Sequence, residues 1–207
     1  VNVDEDAFIT DPDAMLQLVD EVIAGGYANA GCPDGGNDAV PRDGNPVVTN
    51  PFFNVFNLNL IRSRFDRRNL HRRLDDAEPY YPFFLWMASE FKTLYLPAER
   101  HADGVTTILK DMHGRTICLH TWFARFYSMP SFMVKFAQRD KGNQKSRIQA
   151  VIQEAYAMRN KDIPVPHIGD KLTFAADKIV RWAVKVPQRM SRWPYKLYKK
   201  IKLFSAS

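Results

Sequence analysis

Val1-Asn2-Val3-Asp4-Glu5-Asp6-Ala7-Phe8-Ile9-Thr10-Asp11-Pro12-Asp13 opens the chain, and the order of residue types in it decides the fold class. Val1 to Val3 reads as the end of a buried strand, with three acids directly after it. Asp11 can cap free N–H groups, and Pro12 suits the first helical position, where no N–H is needed. Met15, Leu16, Leu18, Val19, Val22 and Ile23 continue at mostly helical spacing, and Gly25-Gly26 ends the helix. A strand running into a helix, with carboxylates at the junction, predicts an α/β protein whose site lies at a strand's carboxyl end. Val1 is not an initiator Met and falls within the predicted strand, so an N-terminal portion is expected to precede it.

Working outward, Gly31 to Asn50 is a long loop rich in Gly, Pro, Asn and Asp, of the kind that carries function. Phe52 to Leu58 is apolar and aromatic enough for a strand, and the arginine block from Arg62 to Arg73 reads as helical. A helix is expected from Tyr81 to Phe91, opened by Glu78-Pro79. Leu94 to Leu96, Val105 to Leu109 and Thr116 to Leu119 read as strands. The last two suit a hairpin turning at His113-Gly114. Ser146 to Met158 reads as a further helix. From Pro164 onward, prolines punctuate short amphipathic helices. The expected division is therefore a domain at 1–163 and a basic helical tail at 164–207.

The 207 residues suffice for one domain with a core, and 45% hydrophobic with 25% charged residues is ordinary for a globular protein. No apolar run is long enough to span a bilayer. Cys32 and Cys118 are too few for a disulfide framework, which points to a reducing, cytoplasmic setting. The net charge of +6 is unevenly spread: the stretch from Asp4 to Asp43 is acidic, whereas from Lys171 onward only Asp177 opposes many lysines and arginines.

On a strand, alternate side chains share a face, so Asp4 and Asp6 would approach one ion while Glu5 points away. Hard cations such as Mn²⁺ or Mg²⁺ take carboxylate oxygens and keep positions open for phosphates. Three acids are also what a solvated, helix-capping turn looks like. In the long loop, Asp34, Asn37, Asp38 and Arg42 suit sugar hydroxyls, and Gly35-Gly36 lets backbone approach a ligand; any polar loop shares that composition. His71, His101, His113 and His167 show no ligand spacing and read as surface residues. The aromatics of Tyr80 to Phe91 read as core.

Val3 to Ile9, followed by Asp11-Pro12 and a helix ending in Gly25-Gly26-Tyr27, resembles the Asp-x-Asp region of GT-A nucleotide-sugar glycosyltransferases. In layout the likeness extends through Gly31 to Gly36 and Asn50 to Asn54, covering roughly the first 128 residues. The resemblance implies the C-terminal part of a GT-A domain: a Rossmann-like mixed sheet flanked by helices, in which Asp4 and Asp6 hold a metal on the donor diphosphate. It implies a further metal ligand in His120, at the end of a predicted strand. Arg125 would reach a phosphate. The bland alternatives are a core histidine and an arginine stacked on aromatics. In inverting members an acid in the region of Asp76 and Glu78 deprotonates the acceptor; the same residues would also serve as helix caps.

The expected activity is transfer of a sugar, from a UDP-sugar most readily, to a glycan or lipid-linked acceptor in polysaccharide biosynthesis. Aromatics and cations interleave from Phe174 to Phe204, which suits the anionic inner face of the cell membrane. They suit nucleic acid chemically as well, but no nucleic-acid-binding fold signature accompanies them. The rival class is a non-enzymatic peripheral membrane or nucleic-acid binding protein. A metal-dependent hydrolase is the third.

Overall fold

The computed structural model describes residues 1–34, 45–68, 74, 77–123 and 144–164. The chain divides into two units, Val1–Asp162 and Ile163–Ser207. All of the second except Ile163 and Pro164 lies outside the described residues, including the basic tail.

The first unit is α/β. Its described strands form two four-stranded sheets rather than the one mixed sheet expected. The first contains β1 (Asn2–Val3), β4 (Phe53–Phe56), β3 (Asn29–Gly31) and β5 (Thr93–Tyr95), in that order. Strand β4 runs antiparallel to both neighbours, and β3 runs parallel to β5. The second sheet is wholly antiparallel: β2 (Ala7–Ile9), β8 (Thr116–His120), β7 (Thr107–Lys110) and β6 (Ala98–Arg100). The chain leaves the first sheet at Val3 and enters the second at Ala7. Strand β1 is an edge strand with both residues exposed, not the buried strand its valines suggested.

Helix α1 (Pro12–Ala24) begins where Asp11 accepts the Ala14 N–H at 2.9 Å, and Gly26 ends it at φ 64°, a left-handed turn that costs glycine nothing. Its buried stripe of Ala14, Leu18 and Val22 packs on Ala30, Phe53 and Val55 of one sheet and Leu109, Ile117 and Cys118 of the other. One helix thus joins both sheets in a single core, each large side chain contributing about 1.5–3 kcal/mol of burial. Helix α2 (Leu58–Arg62) buries Ile61 against Tyr81, Phe84 and Met87 of helix α3 (Tyr81–Glu90); Phe84 is core, as read, while Phe83, Trp86 and Phe91 pack half-buried against it. Helix α4 (Gln144–Met158) lays Val151 and Ala155 against Leu119. Strand β8 is therefore covered on both faces, and Ile117 to His120 are all buried.

The β7–β8 hairpin turns where expected: the Asp111 carboxylate accepts the N–H groups of His113 and Arg115 at 2.9 and 2.8 Å. Gly31 marks a close approach. A Cβ there would lie 2.6 Å from Asn54 Oδ1 and 2.9 Å from the Phe53 carbonyl oxygen.

Candidate metal centre

Asp4, Glu5 and Asp6 do not lie on a strand. They form the turn between β1 and β2, closed by the Ala7 N–H to the Asp4 carbonyl at 3.2 Å. The alternation expected of Asp4 and Asp6 is thus replaced by turn geometry, because the flanking strands belong to different sheets. Nor does the triplet cap the helix: Asp11 performs that role.

Register brings the other partner. Ala7 pairs with His120, and the Thr121 N–H donates to the Asp6 carbonyl at 2.9 Å, so the end of β8 lies against the acidic turn. The Thr121 hydroxyl donates to the same carbonyl at 3.1 Å. His120 Nε2 then sits 3.0 Å from Asp6 Oδ1. Asp4, Asp6 and His120 each present an oxygen or nitrogen such that all three lie within 4.8 Å of one another. Asp6 and His120 are buried, while Asp4 is exposed and opens the cluster to solvent.

The imidazole is held against two aromatic rings. Phe52 stacks on it at 4.3 Å between centroids and 10° between planes, and Trp122 lies at 4.2 Å and 52°. Its Nδ1 is buried without a hydrogen-bond partner among the described residues. The ring's polar chemistry is therefore directed at Asp6, with one nitrogen in reserve. Directly after His120, Trp122 and Phe123 take left-handed backbone at φ 55° and 62°, each costing about 1 kcal/mol or more outside glycine. Strain of that kind next to a buried polar cluster marks a place the rest of the fold must hold.

Asp34 is buried, and its carboxylate accepts from Asn50 Nδ2 at 2.7 Å, from the Tyr80 hydroxyl at 3.2 Å and from the Tyr81 hydroxyl. It ties the end of the segment after β3 to the start of α3. Glu78 is exposed. Its carbonyl accepts the Tyr81 N–H at 3.0 Å, while the N-cap of α3 is Tyr80, so its side chain is not the cap. Gly35, Gly36, Asn37, Asp38, Arg42, Asp76 and Arg125 lie outside the described residues. His101 is not the surface residue expected: its ring contacts Glu154 at 3.0 Å and Asp103 at 3.4 Å.

Sequence reasoning passed over Arg147 and Asp103. Arg147 stands on α4 beside the buried stripe of Gln144, Ile148, Val151 and Ala155, and a cation flanking an apolar stripe was the available signal. Asp103 sits in the turn before β7. Burial raises its pKa, but bonds from Thr106, Val105 and Arg147 outweigh that and hold the carboxyl well below the usual range. A cleft of about 530 Å³ near the start of α1, between Asp11 and Arg159, includes none of the three cluster residues.

The chain matches no family model, no curated protein and no solved structure.

Proposed function

We propose that this chain carries the metal-binding part of a GT-A type glycosyltransferase, which moves a sugar from a nucleotide-diphosphate sugar to a glycan or lipid-linked acceptor. The observation that supports it is the convergence of Asp4, Asp6 and His120, the last 114 residues beyond Asp6, within 4.8 Å. Two ligands each about 2.1 Å from one ion and at right angles lie about 3 Å apart. Asp6 Oδ1 and His120 Nε2 are separated by 3.0 Å. Two carboxylates and one imidazole suit Mn²⁺, and Mg²⁺ less well because of the nitrogen.

Asp6 and His120 would form the buried, pre-oriented half of the site, and Asp4 the solvent-facing half. When bound, the cation supplies Lewis-acid stabilisation of negative charge on the departing diphosphate. Phe52, stacked on one face of the imidazole, and Trp122, tilted beside it, fix the ring plane. Glu78, exposed ahead of α3, is available as a base toward an acceptor hydroxyl, and Asp76 is its neighbour in sequence. The loop from Asp34 to Arg42 would shape the acceptor side, and Arg125 would meet a phosphate. No described helix is long and apolar enough to cross a membrane. Attachment to the cytoplasmic membrane face would rest on the basic tail.

The test is Mn²⁺ titration by electron paramagnetic resonance, with and without UDP, on wild type, Asp6→Ala and His120→Ala. Wild type should bind Mn²⁺, UDP should bind only with Mn²⁺, and both variants should lose the effect. Indifference of wild type to Mn²⁺ would sink the proposal and turn attention to the tail as a membrane or nucleic-acid binding element.

A further inference from the structure

The guanidinium of Arg147 spends its donors on one small region. Nη1 donates to Asp103 Oδ2 at 3.0 Å and to Thr106 Oγ1 at 2.8 Å. Nη2 donates to the carbonyl oxygens of Thr121 at 2.6 Å and Trp122 at 3.1 Å, and Nε donates to Gln144 Oε1 at 2.7 Å. The side chain is only 11% exposed, so each of these bonds is formed largely away from water. Asp103 is itself fixed: it accepts from the N–H groups of Val105 and Thr106 at 2.9 and 2.7 Å and from the Thr106 hydroxyl at 2.6 Å. The arginine is thus braced on a rigid turn on one side and grips backbone carbonyls on the other.

Those carbonyls belong to the residues that lead from His120 into the left-handed segment. Thr121 has its carbonyl held by Arg147 while its N–H and hydroxyl hold the carbonyl of Asp6. Trp122 has its carbonyl held by Arg147 and its Nε1 donated to Thr107 Oγ1 at 2.8 Å, with its ring against His120. Both members of the buried pair are therefore connected to the same cation through one residue each. A lysine at this place would keep the charge beside Asp103 but lack the planar fork that bonds carboxylate and carbonyls together.

We infer that Arg147, braced by Asp103, is a positioning residue for the Asp6–His120 pair: it holds the Thr121 and Trp122 carbonyls where the chain turns into left-handed backbone at Trp122 and thereby sets how that pair meets a divalent cation. The inference rests on the metal reading given above and names the part of the molecule that prepares the site. Arg147 touches neither ligand atom and acts through Thr121 and Trp122. Residues of this class typically alter metal affinity by about 10–100-fold when replaced. A purely structural tie between α4 and its sheet would lower stability without changing the metal affinity of molecules that remain folded.

The experiment compares wild type, Arg147→Lys and Asp103→Asn by two readouts. One is the Mn²⁺ dissociation constant, determined by paramagnetic resonance at a temperature where circular dichroism shows the protein folded. The other is the imidazole nitrogen spectrum of His120 in metal-free protein. Arg147→Lys should raise the Mn²⁺ dissociation constant about 10–100-fold and move the His120 ring signals, with Asp103→Asn shifting both in the same direction. Wild-type Mn²⁺ affinity in folded Arg147→Lys would overturn the positioning role and leave the metal site standing. Absence of Mn²⁺ binding by wild type would overturn both. Loss of the fold in both variants would assign the contacts to structure alone and overturn the positioning role.

Discussion

His120 Nε2 meets Asp6 Oδ1 at 3.0 Å across 114 residues of sequence, where the turn leaving one sheet touches the last residue of a strand in the other. Thr121 reinforces the junction by donating both its N–H and its hydroxyl to the Asp6 carbonyl. The two acids of the cluster are consequently unequal. The Asp4 carboxylate is exposed and accepts the adjacent Glu5 N–H at 2.9 Å, whereas Asp6 is a buried partner of a buried ring.

That inequality separates two substitutions. Asp4→Ala should weaken Mn²⁺ binding while changing stability by less than about 0.5 kcal/mol, as surface replacements do. Asp6→Ala should weaken Mn²⁺ binding and, in EDTA, also cost about 1–3 kcal/mol because His120 is left buried without its polar partner. Urea melts of both variants in EDTA decide the matter; equal stabilities would show that the Asp6–His120 contact carries no weight in the fold.

Gly31→Ala should destabilise the first sheet. The new Cβ would meet Asn54 Oδ1 at 2.6 Å and the backbone carbonyl of Phe53 at 2.9 Å, and the latter cannot move without disturbing β4, where Phe53 pairs with Val3 of β1. A cost of about 1–3 kcal/mol is expected from overpacking. A melting temperature unchanged from wild type would contradict this close approach.

Acid should weaken the second sheet's turns. Asp103 and Asp111 are both partly desolvated, which raises their pKa values, but bonds from Thr106, Val105 and Arg147 in one case and from Arg115 and His113 in the other leave both depressed. A carboxylate depressed in the folded state stabilises above its unfolded pKa of about 4 and loses that contribution as pH falls through the folded value. Stability measured by urea melts should therefore decline below about pH 4, and Asp103→Asn should flatten part of the decline. A profile in Asp103→Asn that superimposes on wild type would remove this residue from the acid response.

The two thiols should be silent in the native protein. Burial first, and then the charge of Asp34, pushes Cys32 up to about 12, and burial and Cys32 raise Cys118 as well. At pH 8 neither is a thiolate to any extent, so a disulfide reagent should react only after denaturation. Fast labelling of folded protein would mean that the core around α1 opens readily.

Asp34 gives a test of the polar chain behind the first sheet. Asn29 donates to Thr49, Thr49 to Asn54, and Asn50 to Asp34, with Tyr80 and Tyr81 completing the carboxylate's partners. Tyr81→Phe withdraws one donor from a buried carboxylate and should cost about 1–3 kcal/mol, seen as a lower urea midpoint. No loss of stability would indicate that Asp34 is satisfied without it.

Helix α1 was legible to within a residue because its signals are local: Asp11 bonds three residues ahead, Pro12 needs no donor, and Ala14, Leu18 and Val22 repeat at the helical period. The hairpin of β7 and β8 was legible for the same reason, its turn being set by Asp111 and its near neighbours. Strands β2, β3 and β6 were not. Asn29-Ala30-Gly31 has no strand character of its own, and it is extended because β4 and β5 bond it from both sides.

By itself the sequence determined the α/β class, the ends of α1, the aromatic core of α3 and the residue types able to meet a hard cation. Those follow from interactions a few residues long, which a linear pattern contains. Only the tertiary structure decided that the acids occupy a turn between two sheets and that Ala7 pairs with His120, so that Asp6 meets its imidazole. It alone placed Arg147 behind both. These are consequences of strand register and helix packing between distant segments, where a shift of one residue would turn His120 to the opposite face of the sheet.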